Sequence, residues 1–276
     1  MPALSKDFHI AFIGGGNMAS AILSGLLKQG LPAQQVQVVE PFADQAAKLR
    51  TDFGVTVLPK AGASLASASL VVWAVKPQMF SQAAVQAGAH TRQALHLSVA
   101  AGIRSDSIAQ WLGSERVVRA MPNTPALIGQ GITGLFARAA VTAADRASVE
   151  AVVKSTGQQL WLEREEQLDA VTALSGSGPA YVFYLIEAMT EAGQAMGLTE
   201  AQSKQLAIAT FGGASALAAA SDEPPQTLRE RVTSKGGTTY AALTAMQASG
   251  IKPQFIEAMQ AARKRAAELG DEFGAA

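Results

Sequence analysis

The chain has 276 residues, more than one ordinary domain needs, and 49% of them are apolar, enough material for a substantial core. Lys plus Arg and Asp plus Glu each number 22, so the formal net charge is zero, which argues against a nucleic-acid binder with its usual basic excess. With no cysteine, disulfides, thiolate catalysis and Cys-ligated metals are excluded. The three histidines (His9, His90 and His96) lack paired metal-ligand spacing and read as strand-end or surface residues, so no metal is expected.

The first ten residues, MPALSKDFHI, show no apolar stretch after a basic start and do not read as a signal peptide. From there the chain alternates short β-rich runs with helical segments. The strand candidates are HIAFI, VQVVE, VTVL, LVVWAV, LHLSV, RVVRAM, GITGLFA and QLWL, with helices over residues 19–29 and 43–52 between the early ones. Several of these runs are apolar on both faces, as strands covered by helices must be. The pattern predicts a doubly wound α/β sheet over residues 1–163.

The first strand, residues 8–13, runs directly into Gly14, Gly15, Gly16, Asn17, Met18 and Ala19 and then a helix. This is G-x-G-x-x-A in the strand–turn–helix context of a dinucleotide site. Gly14 permits the tight turn, Gly16 lets the pyrophosphate approach the backbone, and Ala19 lets the helix pack on the strand. The second strand ends in Glu40, somewhat beyond the usual ~20 residues for the acidic group that holds the adenosine ribose. A carboxylate there repels a 2′-phosphate and favours NADH over NADPH; a solvated strand-end charge is the alternative. LVVWAV runs into Lys76-Pro77, and RVVRAM into Pro122-Asn123-Thr124-Pro125. Polar residues at these strand ends are ligand candidates, unless the prolines merely end strands and Asn123-Thr124 only make a turn. No nucleoside-triphosphate P-loop spacing occurs.

The acidic stretch LEREEQ marks the boundary, and residues 164–276 read as an all-helical domain. Its helices are expected at 180–196, 200–220, 225–231, 239–249 and 253–269, with Pro225 in the first turn of its helix. The uncharged run 205–221 is short for a membrane span, and its many small residues suit close helix packing. Neither the Tyr/Lys pair of short-chain dehydrogenases nor G-x-S-x-G is present. A dinucleotide protein with hydroxyl-rich loops and no strong acid or base suits imine reduction, which asks less of a proton donor than alcohol chemistry. The loop RVTSKGGTTY is the second glycine site. Its position before a helix suits an anion, phosphate or carboxylate.

IAFIGGGNMASAI, WAVKPQ, LSVAAGI, RAMPNTPAL, DAVTALSGSGPAYVF and RVTSKGGTT occur in this order, and together they resemble the Δ1-pyrroline-5-carboxylate reductase family from about residue 9 to residue 268. The resemblance implies a Rossmann domain followed by a helical domain through which two subunits interlock, with dimers assembling into a decamer. It implies NADPH- or NADH-dependent reduction of pyrroline-5-carboxylate to L-proline in the cytoplasm, with neither membrane nor nucleic acid as a partner. Carried over by position, it puts Gly14, Gly15, Gly16, Asn17, Met18, Ala19, Glu40, Ala74, Val75, Lys76, Pro77, Ala100 and Ala101 at the cofactor. Ser175 is placed at the substrate, although Ser175 and Ser177 could simply cap the following helix. Ser234, Gly236, Gly237 and Thr238 then bind the substrate carboxylate, and Thr239 contacts the ring nitrogen as the catalytic residue. Lys235 departs from the family, which commonly has proline there, and Ala61 stands where an asparagine often reaches the adenosine. The competing readings are a related imine or β-hydroxy-acid reductase and a non-catalytic dinucleotide-binding redox sensor.

Overall fold

A computed structural model describes residues 8–274; residues 1–7, where most of the stretch read as lacking a signal peptide falls, lie outside that range. Each of the eight β-rich runs is a strand: β1 (Ile10–Ile13), β2 (Val36–Val39), β3 (Thr56–Leu58), β4 (Leu70–Trp73), β5 (Leu95–Ser98), β6 (Val117–Met121), β7 (Gly131–Ala137) and β8 (Gly157–Trp161). They form one sheet in the order β3-β2-β1-β4-β5-β6-β7-β8. Strands β1 to β6 are parallel, linked by crossovers that carry α1 (Asn17–Lys28), α2 (Ala43–Phe53), α3 (Pro77–Thr91) and α4 (Ser105–Leu112). The strand order reverses between β1 and β4, which opens the crevice of a Rossmann fold at the carboxyl ends of these strands.

Strand direction changes after β6. β7 pairs antiparallel with β6, and β8 follows β7 in parallel after α5 (Ala143–Val153). The β6–β7 connection holds only a 3-10 turn, Thr124–Ile128, too short for a crossover, so the chain must fold back. The sheet is therefore mixed at this end.

Both faces of the central strands are buried, which is why their sequences are apolar without alternation. Ile10 and Phe12 pack with Leu23, Leu26 and Val72 on one face. Ala11 and Ile13 pack with Val71, Trp73 and Phe80 on the other. His96 corrects the strand-end reading: it lies within β5, fully buried, and its Nδ1 accepts from Trp73 Nε1 at 3.2 Å. Burial, with the Arg116 charge adding to it, lowers its pKa to about 4, so it sits neutral in the core at pH 7. Among the described residues no group of three His, Asp or Glu side chains could hold a metal ion, and no helix is long and apolar enough to cross a membrane.

The chain divides into two compact units, one comprising residues up to 177 together with those from 262, the other residues 178–261. In the first unit, α6 (Gln167–Val171) follows the sheet, and the last part of α11 (Ile251–Gly274) packs on the turn after β5. Gly102 lies under Leu269 and Phe273. Gly270 faces the Arg104 guanidinium so closely that a methyl group there would meet Nε at 2.6 Å.

The second unit contains α7 (Gly178–Ala195), α8 (Glu200–Ala219), α9 (Pro225–Arg231), α10 (Thr238–Ala248) and the start of α11. Pro225 opens α9 as expected, and a Thr199/Gln202 capping box opens α8. α7 meets α8 where Gly193 faces Ser203, outside the uncharged run 205–221; within that run Ala207 alone is buried, and nothing lies within 4 Å of a Cβ at Gly212 or Gly213. Little else is covered. Only Gly193 is buried in α7, Ser203 and Ala207 in α8, and nothing in α10. Phe183 and Leu206 remain 58% and 57% exposed, with Val182, Met189, Ile208 and Leu217 exposed beside them in sequence. Apolar surface on this scale marks an interface that a single chain leaves open.

Candidate active site

The glycine turn sits at the carboxyl end of β1 and opens α1. Gly14 has φ +92°, and a Cβ there would stand 2.8 Å from the Ala74 carbonyl oxygen at the end of β4, so only glycine fits the turn. Gly16 is different. It is the N-cap of α1 with an ordinary φ of −70°, no side chain caps the helix, and nothing lies within 4 Å of where its Cβ would be. The first N–H groups of α1 therefore open onto free space beside a backbone without a side chain. A cradle of this kind fits a dinucleotide pyrophosphate. Ala19 is fully buried where α1 meets the sheet, as its place in the motif requires.

Glu40 is 6% exposed and holds the turn from the end of β2. Its Oε2 accepts from Gly15 N at 3.0 Å and its Oε1 from Phe42 N at 3.0 Å. The carboxylate is thus a built part of the site and not a solvated strand end. Gln45, on α2, donates through Nε2 to the Gly15 carbonyl at 2.5 Å and fixes the same turn from the other side.

These groups border a cleft of about 720 Å³. Its walls include Gly14, Gly15, Gly16, Glu40, Ala74, Val75 and Lys76. Of the other positions assigned to the cofactor, Asn17, Met18 and Ala19 form the first turn of α1, and Pro77 is the first residue of α3. Ala100 and Ala101 follow β5 outside the cleft walls, with Ala100 N donating to Ser98 Oγ at 3.3 Å. Phe42, Gln45, Lys60, Met79 and Gln82 also line the cleft, and the sequence reading did not single them out. They sit on helix faces and loops with no fixed spacing from the glycines, so nothing local announces them. Ala61 lines the cleft too, without a polar group to offer.

The SGSGP segment is not a helix cap. Residues Thr172–Gly176 form a π-turn after α6, closed by Ser177 N donating to the Thr172 carbonyl at 2.8 Å. Pro179 lacks an N–H and crowds the carbonyl four residues before it, and widening the preceding turn relieves that conflict. Ser175 lies in this turn and accepts from Asn123 Nδ2 at 3.1 Å.

In the second unit the loop before α10 is a β-turn over residues 234–237, closed by Gly237 N donating to the Ser234 carbonyl at 3.0 Å. Gly236 has φ +76°, and among the described residues no non-glycine residue has positive φ, so the turn is type II with Lys235 at its second position. Proline suits that position because its φ is preset; Lys235 adopts the same geometry from a freer unfolded chain. Gly237 is the N-cap of α10 and supplies no side-chain cap, so the first N–H groups of the helix remain available. Thr238 and Thr239 are its first two residues, and Thr239 is half-buried.

A model described as pyrroline-5-carboxylate reductase dimerisation matches residues 165–269, and one described as NADP oxidoreductase, coenzyme F420-dependent, matches residues 9–102. The chain is 45% identical over 268 residues to the pyrroline-5-carboxylate reductase of Pseudomonas aeruginosa, covering 96% of this chain and 98% of that protein. It superposes on a pyrroline-5-carboxylate reductase structure from Coxiella burnetii with a TM-score of 0.89 at 35% identity, over 96% of this chain and 99% of the other. A pyrroline carboxylate reductase structure from Plasmodium falciparum with NADP bound is 27% identical, with a TM-score of 0.85 over 95% and 98% of the two chains.

Proposed function

This chain belongs to the pyrroline-5-carboxylate reductase family, and on that premise we propose how its own residues serve the reaction. It is an NAD(P)H-dependent oxidoreductase that reduces 1-pyrroline-5-carboxylate to L-proline, the last step of proline biosynthesis, and it works as an oligomer. The carrying observation is the near-full-length likeness to reductases of that name, with the glycine cleft and the RVTSKGGTT loop both intact. The dinucleotide supplies hydride to the imine carbon when bound. Gly14, Gly15 and Gly16 with the first turn of α1 hold its phosphates, and Glu40, Ala74, Val75, Lys76 and Pro77 border its two ends.

Ser234, Gly236, Gly237 and Thr238 bind the substrate carboxylate. The support is an uncapped N-terminus on an eleven-residue helix behind a rigid type II turn, an arrangement that favours an anion through both its N–H groups and its dipole. Thr239 places its hydroxyl at the ring nitrogen, and Ser175 contacts the substrate from the π-turn. Held by its carboxylate, the imine needs orientation and one proton and no strong base. The exposed apolar faces of α7 and α8 support a homodimer in which two copies cover one another, with dimers assembling further into a decamer in the cytoplasm.

Steady-state kinetics on pyrroline-5-carboxylate with each cofactor test the reaction: oxidation of NADH or NADPH is expected, and no turnover with either would refute it. Thr239→Ala is expected to lower kcat by on the order of 10-fold or more while dinucleotide affinity stays within twofold. Equal losses in both would remove Thr239 from the chemistry.

Glu40 points to NADH as the preferred cofactor. A carboxylate anchored by two backbone N–H groups cannot swing away from a 2′-phosphate, and its buried charge is poorly screened. Glu40→Ser is expected to raise the NADPH-to-NADH ratio of kcat/KM about 10-fold, the size of one relieved charge contact. Affinity for both cofactors should fall, because the turn loses its anchor at Gly15. An unchanged or lower ratio in paired kinetics would contradict this account.

A further inference from the structure

We propose that Asn123 is a positioning residue that turns the Ser175 hydroxyl into a hydrogen-bond donor for the anionic substrate, a role that rests on the reductase reading above. Asn123 follows β6 and is the N-cap of the Thr124–Ile128 turn, yet its side chain makes no capping bond to that turn. It bridges two other elements instead. Oδ1 accepts from Ile132 N on β7 at 3.0 Å, and Nδ2 donates to Ser175 Oγ at 3.1 Å. A backbone N–H can only donate, so the amide oxygen must face Ile132, and the amide cannot flip without leaving that N–H unpaired.

The consequence falls on the serine. Helical hydroxyls commonly donate back to the carbonyl four residues earlier. Thr91, Ser148, Thr172, Thr190, Ser203 and Thr244 all do so here. Ser175 instead receives a hydrogen bond. With one lone pair committed to Asn123, its proton is directed to a partner other than Asn123. The π-turn that carries Ser175 is seated on the end of β6, because Gly176 lies against the Met121 methyl group where any side chain would collide. Asn123 and Ser175 are therefore held at one spacing by covalently distant elements. β6 is parallel to β1 and β4, so Asn123 stands on the edge of the sheet that also carries Gly14 and Lys76. Carboxylates are the strong acceptors in such surroundings, and the substrate carries one.

The test is a double-mutant cycle in the full-length oligomer, read by kinetics on pyrroline-5-carboxylate and by NADPH and NADH binding. Ser175→Ala and Asn123→Ala should each lower kcat/KM for the imine roughly 10-fold, about the loss of one hydrogen bond to a charged acceptor. Cofactor dissociation constants should stay within twofold. Ser175→Thr, which keeps the hydroxyl, should recover most of the loss. Asn123→Ala should have no further effect in the Ser175→Ala background. Losses that multiply in the double variant would overturn the proposal, as would Ser175→Ala activity within twofold of wild type. If Asn123→Ala fails to fold on thermal melting, the Ser175→Ala and Ser175→Thr pair decides alone. A wild-type chain without turnover would refute the reductase function itself, whereas an active wild type with silent variants refutes only this inference.

Discussion

Gly16→Ala is expected to leave the fold intact and to weaken dinucleotide binding by roughly 10- to 100-fold. The backbone at Gly16 (φ −70°, ψ −167°) is ordinary for an L residue, and nothing stands within 4 Å of the added methyl group. Folding therefore has no reason to object, and the melting temperature should stay within a few degrees. The methyl group occupies the open space through which a pyrophosphate would reach the first N–H groups of α1. Losing one charge-assisted hydrogen bond costs about 1.5–3 kcal/mol, which gives the expected factor. Titration of the purified variant with NADPH and NADH checks it, and unchanged dissociation constants would take the glycine turn out of the cofactor site. Gly14→Ala makes the control. Its positive φ and the Ala74 carbonyl at 2.8 Å predict a folding defect, not a selective binding defect.

Glu165→Ala is expected to destabilise the protein by about 3–5 kcal/mol, the usual result of stripping a partner from a buried charge. Arg119 projects from β6 with 6% of its side chain exposed, and its guanidinium bonds Glu165 at 2.6 Å, with Glu165 itself 15% exposed. Burial pulls the Arg119 pKa down and Glu165 opposes that pull, so removing Glu165 leaves an unpaired cation in the core. The same carboxylate also accepts from Ser105 N at 2.6 Å and Ser105 Oγ at 2.5 Å. At roughly 2–4 °C per kcal/mol for a domain of this size, the melting temperature should fall by on the order of 10 °C. Asp106→Ala is the contrasting case: its partner Arg138 is mostly buried, but Asp106 is 86% exposed, and such pairs contribute about 0–1 kcal/mol. A loss below about 1 kcal/mol for Glu165→Ala, measured by denaturant unfolding, would show that Arg119 finds another partner or water.

Glu165 shows where sequence reading stops. In LEREEQ it looks like one more solvated charge at a domain boundary, and nothing local distinguishes it from Glu163 or Glu166. Its burial depends on Arg119, 46 residues away in sequence, and on the turn that carries Ser105. His96 is similar. Its neighbours in LHLS announce a strand, but only a sheet with both faces covered makes a histidine there neutral and buried. Ser175 and Ser177 follow a fair local rule for capping and miss the π-turn, because what widens the turn is Pro179 acting together with the fit of Gly176 against Met121. Asn123 looked like a turn residue for the same reason.

By itself the sequence determined every strand of the sheet, the glycine turn between β1 and α1, the helical second half and the resemblance to one reductase family. All of these rest on periodicity, turn chemistry or order along the chain, which are local properties that survive without knowledge of what packs where. Only the tertiary structure decided that β7 turns back antiparallel, that Glu40 anchors Gly15 and Phe42, and that Asn123 reaches Ser175. It alone showed that α7 and α8 leave their apolar faces exposed. Those features depend on pairs of groups brought together from 2 to 52 residues apart and on which surfaces remain uncovered. Burial and partner identity are properties of the packed chain, so residues of the same type at the same local spacing can end in water or in the core.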